Sequence, residues 1–155
     1  MLVGIGVRPR LDLAQQAGLT VDRGVLVDEY LETSEPGIFA AGDIARWPDR
    51  YSGERLRIEH WVVAERQGQT AARNMLDRRE RFAAVPFFWT QHYDVSIDYV
   101  GHAQSWDRID QDGDPSAHDV ALRFWKGSRT LALATIFRGR ESLIAELAME
   151  REQSP

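Results

Sequence analysis

The chain has 155 residues, 43% of them hydrophobic, with a formal net charge of −5 and no cysteine. These numbers indicate one ordinary domain or two small ones, and they exclude a disordered chain, a redox disulfide, a thiolate nucleophile and a cysteine-ligated iron–sulfur cluster. They also disfavour a nucleic-acid partner, and no apolar run approaches the roughly 18 residues of a membrane helix. The absence of cysteine leads us to expect a cytoplasmic protein, in which any electron chemistry would have to use a bound cofactor.

The first segment, residues 1–9, is predicted to form a buried strand that runs into a turn. Gly4 and Gly6 match the first two glycines of a dinucleotide-binding fingerprint, but Pro9 occupies the place of the third. No helix follows directly, so the fingerprint is incomplete. Because a parallel strand of this kind needs neighbours on both sides, we expect the chain to begin inside a larger fold.

Three short elements follow. We predict a helix over residues 11–17 that ends at Gly18, because glycine is common just after the end of a helix. A strand is predicted over residues 24–28, and residues 30–33 are predicted to continue in an extended conformation.

The most specific pattern covers residues 33–43 and reads Thr-Ser-Glu-Pro-Gly-Ile-Phe-Ala-Ala-Gly-Asp. It predicts a turn followed by a short apolar strand, residues 38–41, which ends at Gly42 and Asp43. Small residues at the carboxyl end of a strand let a ligand approach the backbone, and a carboxylate on the buried side can accept hydrogen bonds from sugar hydroxyls. The alternative for the last four residues is an ordinary strand-to-loop turn.

Residues 46–56 contain proline, glycine and many charges, which predicts a surface loop. A helix is predicted over residues 61–76. Four of its residues share one face, which is small enough for another backbone or a flat ligand to press against it; they are Ala64, Gly68, Ala71 and Met75.

The residues Glu59, His60 and Trp61 stand at the start of this helix. A helix N-terminus offers free N–H groups and about half a positive charge, so it favours an anionic group of a ligand. The alternative is a helix whose first turn happens to contain aromatic residues.

A run of charged residues at 77–81, followed by Val85 and Pro86, predicts a domain boundary. We therefore divide the chain into a first domain over residues 1–80 and a second over residues 85–155.

The second domain is predicted to contain strands over residues 95–101, 119–125 and 130–137, with a hairpin turn at 126–129. A final helix is predicted over residues 141–150. Its apolar face consists of Leu143, Ile144, Leu147 and Ala148. Strands followed by a covering helix indicate a small α+β unit.

Three adjacent aromatic residues follow Pro86. Phe87 and Phe88 are expected in the core, whereas the ring of Trp89 is a candidate for stacking on a flat ligand.

We predict no metal site and no side-chain nucleophile. Residues 110–114 resemble a calcium loop, but Pro115 and Ala121 occupy the places of its glycine and glutamate, so an exposed acidic turn is predicted. The histidines lack metal-ligand spacing, and no serine lies in a nucleophile elbow.

Together these segments resemble the C-terminal part of ferredoxin-reductase-type, FAD-dependent pyridine-nucleotide oxidoreductases, the group of putidaredoxin, rubredoxin and apoptosis-inducing-factor-like reductases. The matching stretches are residues 3–9, 33–43, 59–61, 67–68, 74–75 and 85–89, and residues from 99 to the final helix resemble the family's C-terminal interface domain. The resemblance implies an α/β remnant of the FAD/NAD(P)-binding domains followed by a small α+β interface domain.

The resemblance also implies a function. Family members bind FAD and NAD(P)H, pass a hydride from nicotinamide to flavin, and then pass electrons to a ferredoxin-like or Rieske-type iron–sulfur partner. The residues it assigns to cofactor binding are Gly42 with Asp43 at the ribityl chain, Glu59 with His60 and Trp61 at the pyrimidine end of the flavin, Trp89 at its ring, and Gly4 with Gly6 near the nicotinamide. No side chain is assigned as a catalytic acid or base, because the cofactors carry the chemistry.

The sequence also departs from the family pattern. Both dinucleotide fingerprints are absent from these residues, and Thr90–Gln91 replaces the Ser-Asp that commonly follows Phe-Trp. We therefore expect the chain by itself neither to hold FAD firmly nor to turn over. The alternative function is a non-catalytic module for homodimer contact or partner docking.

Overall fold

The computed structural model describes residues 1–153, which form two compact units. The first unit contains residues 1–49 and 54–82, and the second contains residues 50–53 and those from 83 onward. Residues 154 and 155, which end the predicted second domain, lie outside the described residues.

The N-terminal segment is not the buried strand that we predicted. Residues 1–9 have no regular secondary structure, with Leu2 100% and Ile5 90% exposed. A strand is stable only when its backbone groups are paired, and no strand among the described residues pairs with this segment.

The predicted first helix is confirmed as α1 (Asp12–Gln16). It is followed by Gly18, which has a φ of +76° and whose N–H donates to the carbonyl of Gln15. The predicted extended run over residues 30–33 is wrong, because a carboxylate oxygen of Asp28 accepts the N–H groups of Tyr30 and Glu32 and folds the backbone into a turn.

The first unit contains a three-stranded sheet, in which β1 (Val25–Leu26) runs parallel to β2 (Ala45–Pro48) and β3 (Arg55–Leu56) pairs antiparallel with β2. β1 is shorter than the predicted strand. The predicted surface loop over residues 46–56 is wrong, because Trp47 and Leu56 alternate with polar residues and are each 1% exposed.

The segment before the Gly-Asp pair is also not a regular strand. Residues 38–41 contribute one isolated bridge, between Phe39 and Glu32, and the chain then enters a short 3₁₀ helix (Gly42–Ile44). The predicted strand is therefore wrong in extent.

The long predicted helix is confirmed as α2 (Trp61–Asn74). The predicted face is only partly packed, since Gly68 and Met75 are exposed. The buried residues of the helix are Val63, Gln67, Thr70, Ala71 and Asn74. At its end, the Asn74 amide donates to the carbonyls of Tyr30 and Glu80 at 2.7 and 2.8 Å and accepts the Glu80 N–H, which fixes this end of the helix.

The second unit contains a five-stranded antiparallel sheet in the order β4-β5-β8-β7-β6. The strands are β4 (Phe87–His92), β5 (Val95–Gly101), β6 (Arg108–Asp114), β7 (Asp119–Lys126) and β8 (Arg129–Ile136). The three predicted strands and the hairpin are confirmed. The predicted acidic turn at residues 110–114 is wrong, because these residues form most of the edge strand β6.

The final helix, α3 (Gly139–Gln153), packs through a face that we did not predict. Leu143, Ile144 and Leu147 are 61%, 57% and 47% exposed, whereas Ser142 and Met149 are buried. Met149 joins a core of Tyr51, Val85 and Val100, with Phe87 and Ala145 packed against it.

The two units together confirm the predicted fold class, an α/β portion followed by a small α+β unit. None of the helices within residues 1–153 has the length and apolar character needed to cross a bilayer.

Candidate functional site

The Gly-Asp turn lies against α2 in the first unit. Gly42 is buried with φ +80°, a conformation that side chains rarely adopt. Its N–H donates to Oε1 of Gln67 at 2.7 Å, and a Cβ at this position would lie 3.4 Å from the Cβ of Ala64. The backbone conformation therefore favours glycine, whereas the helix would leave an added Cβ in ordinary van der Waals contact.

Asp43 is exposed, so the prediction that its carboxylate lies on the buried side is wrong. The 3₁₀ turn buries Gly42 but leaves the next side chain at the surface. The carbonyl of Asp43 is fixed by Nη1 of Arg57 at 2.9 Å, and the same guanidinium donates to the Glu59 carboxylate at 2.8 Å. Arg57 thus connects the Gly-Asp turn to the residues that precede α2.

Arg57 can lie here because Gly24 has no side chain. A Cβ on Gly24 would come within 2.8 Å of both Cδ of Arg57 and the carbonyl oxygen of Ile44.

His60 caps the N-terminus of α2, where its Nδ1 accepts the N–H of Val62 at 3.3 Å. Burial lowers the pKa of His60, and the negative charge of Asp43 acts in the opposite direction and raises it. Asp43 is therefore close enough to His60 for the two charges to interact. Trp61 follows with 59% of its surface exposed, and its ring lies 6.0 Å from that of His60.

The structure thus brings five predicted site residues to the N-terminal end of α2: Gly42, Asp43, Glu59, His60 and Trp61. The N-terminal end of a helix, a carboxylate and a glycine backbone are combined there. This arrangement can accept hydrogen bonds from hydroxyl groups and can stabilise a nearby negative charge.

The other predicted site residues lie elsewhere in the chain. Gly4 and Gly6 belong to the exposed N-terminal segment, and a Cβ at either position would meet nothing within 4 Å. Trp89 belongs to β4 of the second unit, where it is 47% exposed and its ring lies 6.0 Å from that of Phe87. Phe88, which we expected in the core, is half-buried against the ring of Tyr99.

Sequence reasoning gave no role to Gln67 and Arg57. Gln67 is 0% exposed, and its Nε2 has no hydrogen-bond partner among the described residues. A glutamine on the buried side of a helix, one turn after Val63 and one turn before Ala71, was the available sequence signal.

The acidic residues of the second unit form ion pairs rather than a metal site. Arg138 pairs with Asp112 at 2.6 Å, Asp119 at 2.5 Å and Glu141 at 3.2 Å, and it lowers the pKa of Asp119. Residues 1–153 contain no group of three or more histidine or carboxylate side chains placed to share a metal ion.

Comparison with known proteins identifies the family. Residues 1–68 match the pyridine nucleotide-disulphide oxidoreductase family, and residues 87–155 match the reductase C-terminal family. The chain is 34% identical over 138 residues to the putidaredoxin reductase CamA of Pseudomonas putida, a match that covers 89% of this chain and 33% of that protein. The chain belongs to the ferredoxin-reductase-type flavoprotein family.

Two further members of this family show the same extent of similarity. The ferredoxin–NAD(+) reductase component of the anthranilate 1,2-dioxygenase system of Burkholderia cepacia is 36% identical over 142 residues, covering 91% of this chain and 35% of that protein. The reductase in the covalent putidaredoxin reductase–putidaredoxin complex superposes with a TM-score of 0.89 at 32% identity, covering 96% of this chain and 36% of that chain. The chain therefore spans about one third of the length of these relatives.

The predicted family is confirmed, and the chain corresponds to its C-terminal part. Members of the family use FAD and NAD(P)H. The residues gathered at α2 all fall within the 1–68 match, and Trp89 falls within the 87–155 match.

Proposed function

We propose that this chain supplies part of a FAD-dependent NAD(P)H oxidoreductase that passes electrons to a ferredoxin-like or Rieske-type iron–sulfur protein. Residues 1–80 belong to the FAD/NAD(P)-binding region, and residues 85–155 form the C-terminal interface domain. The relatives named as ferredoxin–NAD(+) reductases support this proposal. Bound FAD supplies the chemistry, since it takes two electrons from a nicotinamide and releases them singly.

The residues at α2 fit the flavin. Gly42 leaves its backbone bare beside the small side chain of Ala64, and the exposed Asp43 carboxylate is an acceptor for ribityl hydroxyls. Glu59, His60 and Trp61 lie at the helix N-terminus, whose partial positive charge would stabilise negative charge on a bound flavin.

The remaining cofactor residues are assigned by the resemblance. Gly4 and Gly6 are assigned to the neighbourhood of the nicotinamide, and Trp89 to a stacking position on the flavin ring. Trp89 is 47% exposed, which suits a ring that contacts a planar ligand. The absence of cysteine supports a cytoplasmic location.

The observation that carries the proposal is the hydrogen-bonded arrangement at the start of α2, where Gln67 holds the Gly42 N–H and Arg57 joins the Asp43 carbonyl to Glu59. The proposal is tested by titrating the purified chain with FAD and monitoring the backbone amide signals of the first unit in NMR spectra. We expect weak, saturable shifts at residues 42–44 and 59–64. Asp43→Asn is expected to weaken binding about tenfold, because it removes a charged hydrogen-bond acceptor.

The matched control is Asp12→Asn, which removes an exposed carboxylate from α1 and is expected to leave FAD affinity unchanged. Shifts confined to other residues, or equal affinities for the wild-type and D43N chains, would contradict the proposal. With FAD, NADH and a ferredoxin present, we expect no turnover by the chain alone.

A second candidate function is homodimer contact through α3. It is favoured by the three exposed apolar residues Leu143, Ile144 and Leu147 on one helix. Sedimentation velocity over a range of concentrations tests it. A dimer is expected to dissociate in Leu147→Glu but not in Leu13→Glu, which alters a leucine of α1 that is 80% exposed.

A further inference from the structure

We infer that Gln67 is a positioning residue, which holds the Gly42 backbone so that the Asp43 side chain is presented for ligand binding. This inference rests on the proposed function, in which Asp43 contacts the ribityl chain. It assigns the role to a residue in the middle of α2 rather than to the Gly-Asp turn itself.

The first step is the contact between Gln67 and the turn. The N–H of Gly42 donates to Oε1 of Gln67 at 2.7 Å across 25 residues of chain. Both residues are buried, so water does not compete for this hydrogen bond. Gln67 therefore fixes the first residue of the 3₁₀ turn to the body of α2.

The second step is the other end of the turn. The carbonyl of Asp43 accepts a hydrogen bond from Arg57, whose side chain is 22% exposed. Two successive residues are thus held on opposite sides, Gly42 through its N–H and Asp43 through its C=O. The Gly42 N–H belongs to the peptide before the Gly-Asp pair and the Asp43 C=O to the peptide after it, so the two hydrogen bonds hold both flanking peptide planes and restrict the backbone torsions that direct the Asp43 side chain.

The third step is the cost of this arrangement. Nε2 of Gln67 is buried and has no partner among the described residues, which is unfavourable for an amide donor. Methionine has a similar size and would fill the same space without a buried unpaired donor. Packing alone therefore does not account for an amide at this position, whereas the need for an acceptor opposite Gly42 does.

His60 provides a reporter of the Asp43 position. The charge of Asp43 raises the pKa of His60 against the effect of burial. If Gln67 holds Asp43 in place, Gln67→Met lowers the pKa of His60, as Asp43→Asn does. In the D43N background, Q67M is expected to cause no further change in the pKa of His60, because the Asp43 charge has already been removed.

The experiment measures the pKa of His60 from its ring carbon–proton signals, together with the amide proton shift of Gly42. Q67M is expected to move the Gly42 signal upfield, and Gln67→Glu, which keeps an acceptor, is expected to restore it. The melting temperature is expected to change little, because Q67M removes one buried unpaired donor and creates another at Gly42.

The matched control is Gln69→Met, since Gln69 lies on the exposed side of the same helix. It is expected to leave both signals unchanged. Unchanged His60 pKa and Gly42 shift in Q67M would overturn the inference, as would a large loss of stability with both signals unmoved. If Q67M fails to fold, exchange of the Gly42 amide in the wild-type chain decides: slow exchange supports the hydrogen bond, and fast exchange overturns the inference.

The FAD titration separates this inference from the proposed function. A chain that binds no FAD but shows the expected shifts in Q67M would support the positioning role and contradict flavin binding. FAD binding together with unchanged signals in Q67M would support the proposed function and overturn the role of Gln67.

Discussion

Asp43 and His60 interact through charge at the N-terminal end of α2, where the carboxylate raises the pKa of a histidine that burial lowers. The net effect of the two is a His60 pKa below its ordinary value. His60 also caps the helix through Nδ1, which accepts a hydrogen bond only in the neutral ring. The protonation state of His60 therefore links the helix cap to pH.

This link predicts a pH-dependent stability of the first unit. Because the His60 pKa is lower in the folded chain than in the unfolded chain, the unfolded state binds more protons as the pH falls through the unfolded value of about 6.5. Stability is therefore expected to fall below that pH and to level off below the folded pKa. His60→Asn keeps a side-chain cap and is expected to lose this dependence, as measured by urea unfolding followed through the α2 amide signals. The same slope in H60N and wild type would contradict the prediction.

Two glycines of the first unit, one buried in the Gly-Asp turn and one exposed on α2, are expected to respond in opposite ways to alanine. Gly42→Ala is expected to destabilise the first unit by about 1–2 kcal/mol, because φ is +80°, a conformation that strains a residue with a Cβ. Gly68→Ala is expected to stabilise it by about 0.5–1 kcal/mol, because this helical glycine is exposed with nothing within 4 Å. Hydrogen exchange of the α2 amides measures both changes, and effects of equal sign would contradict the assignment of these positions.

Two tryptophans provide a further matched pair. Trp47→Ala is expected to cost about 3–5 kcal/mol, because this side chain is 1% exposed and packs edge-on against Phe82 with ring centres 5.6 Å apart. Trp61→Ala is expected to change stability by about 0.5 kcal/mol or less, since 59% of its surface is exposed. Urea unfolding of the first unit measures the stability lost in each variant. A loss in Trp47→Ala as small as that in Trp61→Ala would mean that Trp47 lies at the surface, as the predicted loop implied.

The fold could be predicted where the sequence pattern is local. Helix α2 and strand β5 follow from periodicity within one segment, and their predicted bounds differ from the observed ones by at most two residues. Strands β2 and β3 were missed because proline, glycine and charges suggested a loop, although Trp47 and Leu56 anchor them in the core. Pairing between segments overrode the local composition.

In the candidate site, too, the residues that belong to a local pattern could be predicted and those that act over a long distance in sequence could not. Asp43 and His60 were found from a family motif and from their place before a helix. No role was assigned to Arg57, or to Gln67 within the matching stretch 67–68, because each acts on a backbone group 14 or more residues away in sequence. A polar side chain that serves a distant backbone group has no local pattern, so only the folded structure reveals its partner.

The packing of α3 gives the last prediction. The hydroxyls of Thr135 in β8 and Ser142 in α3 lie 2.8 Å apart and are each 1% exposed. This hydrogen bond lets the helix present a small polar residue to the sheet, which explains why Leu143 and Leu147 remain exposed. Ser142→Ala is expected to cost about 1–3 kcal/mol, because the Thr135 hydroxyl stays buried without that partner.

The double variant decides whether this pair sets the orientation of α3. Thr135→Val with Ser142→Ala replaces both hydroxyls by apolar groups, so its cost is expected to be smaller than the sum of the two single costs. Urea unfolding followed by amide signals of the second unit measures the cycle, with Thr130→Val as a control on the same strand. Additive costs would show that the two hydroxyls act independently, and the orientation of α3 would then follow from the packing of Met149 against Val100 instead.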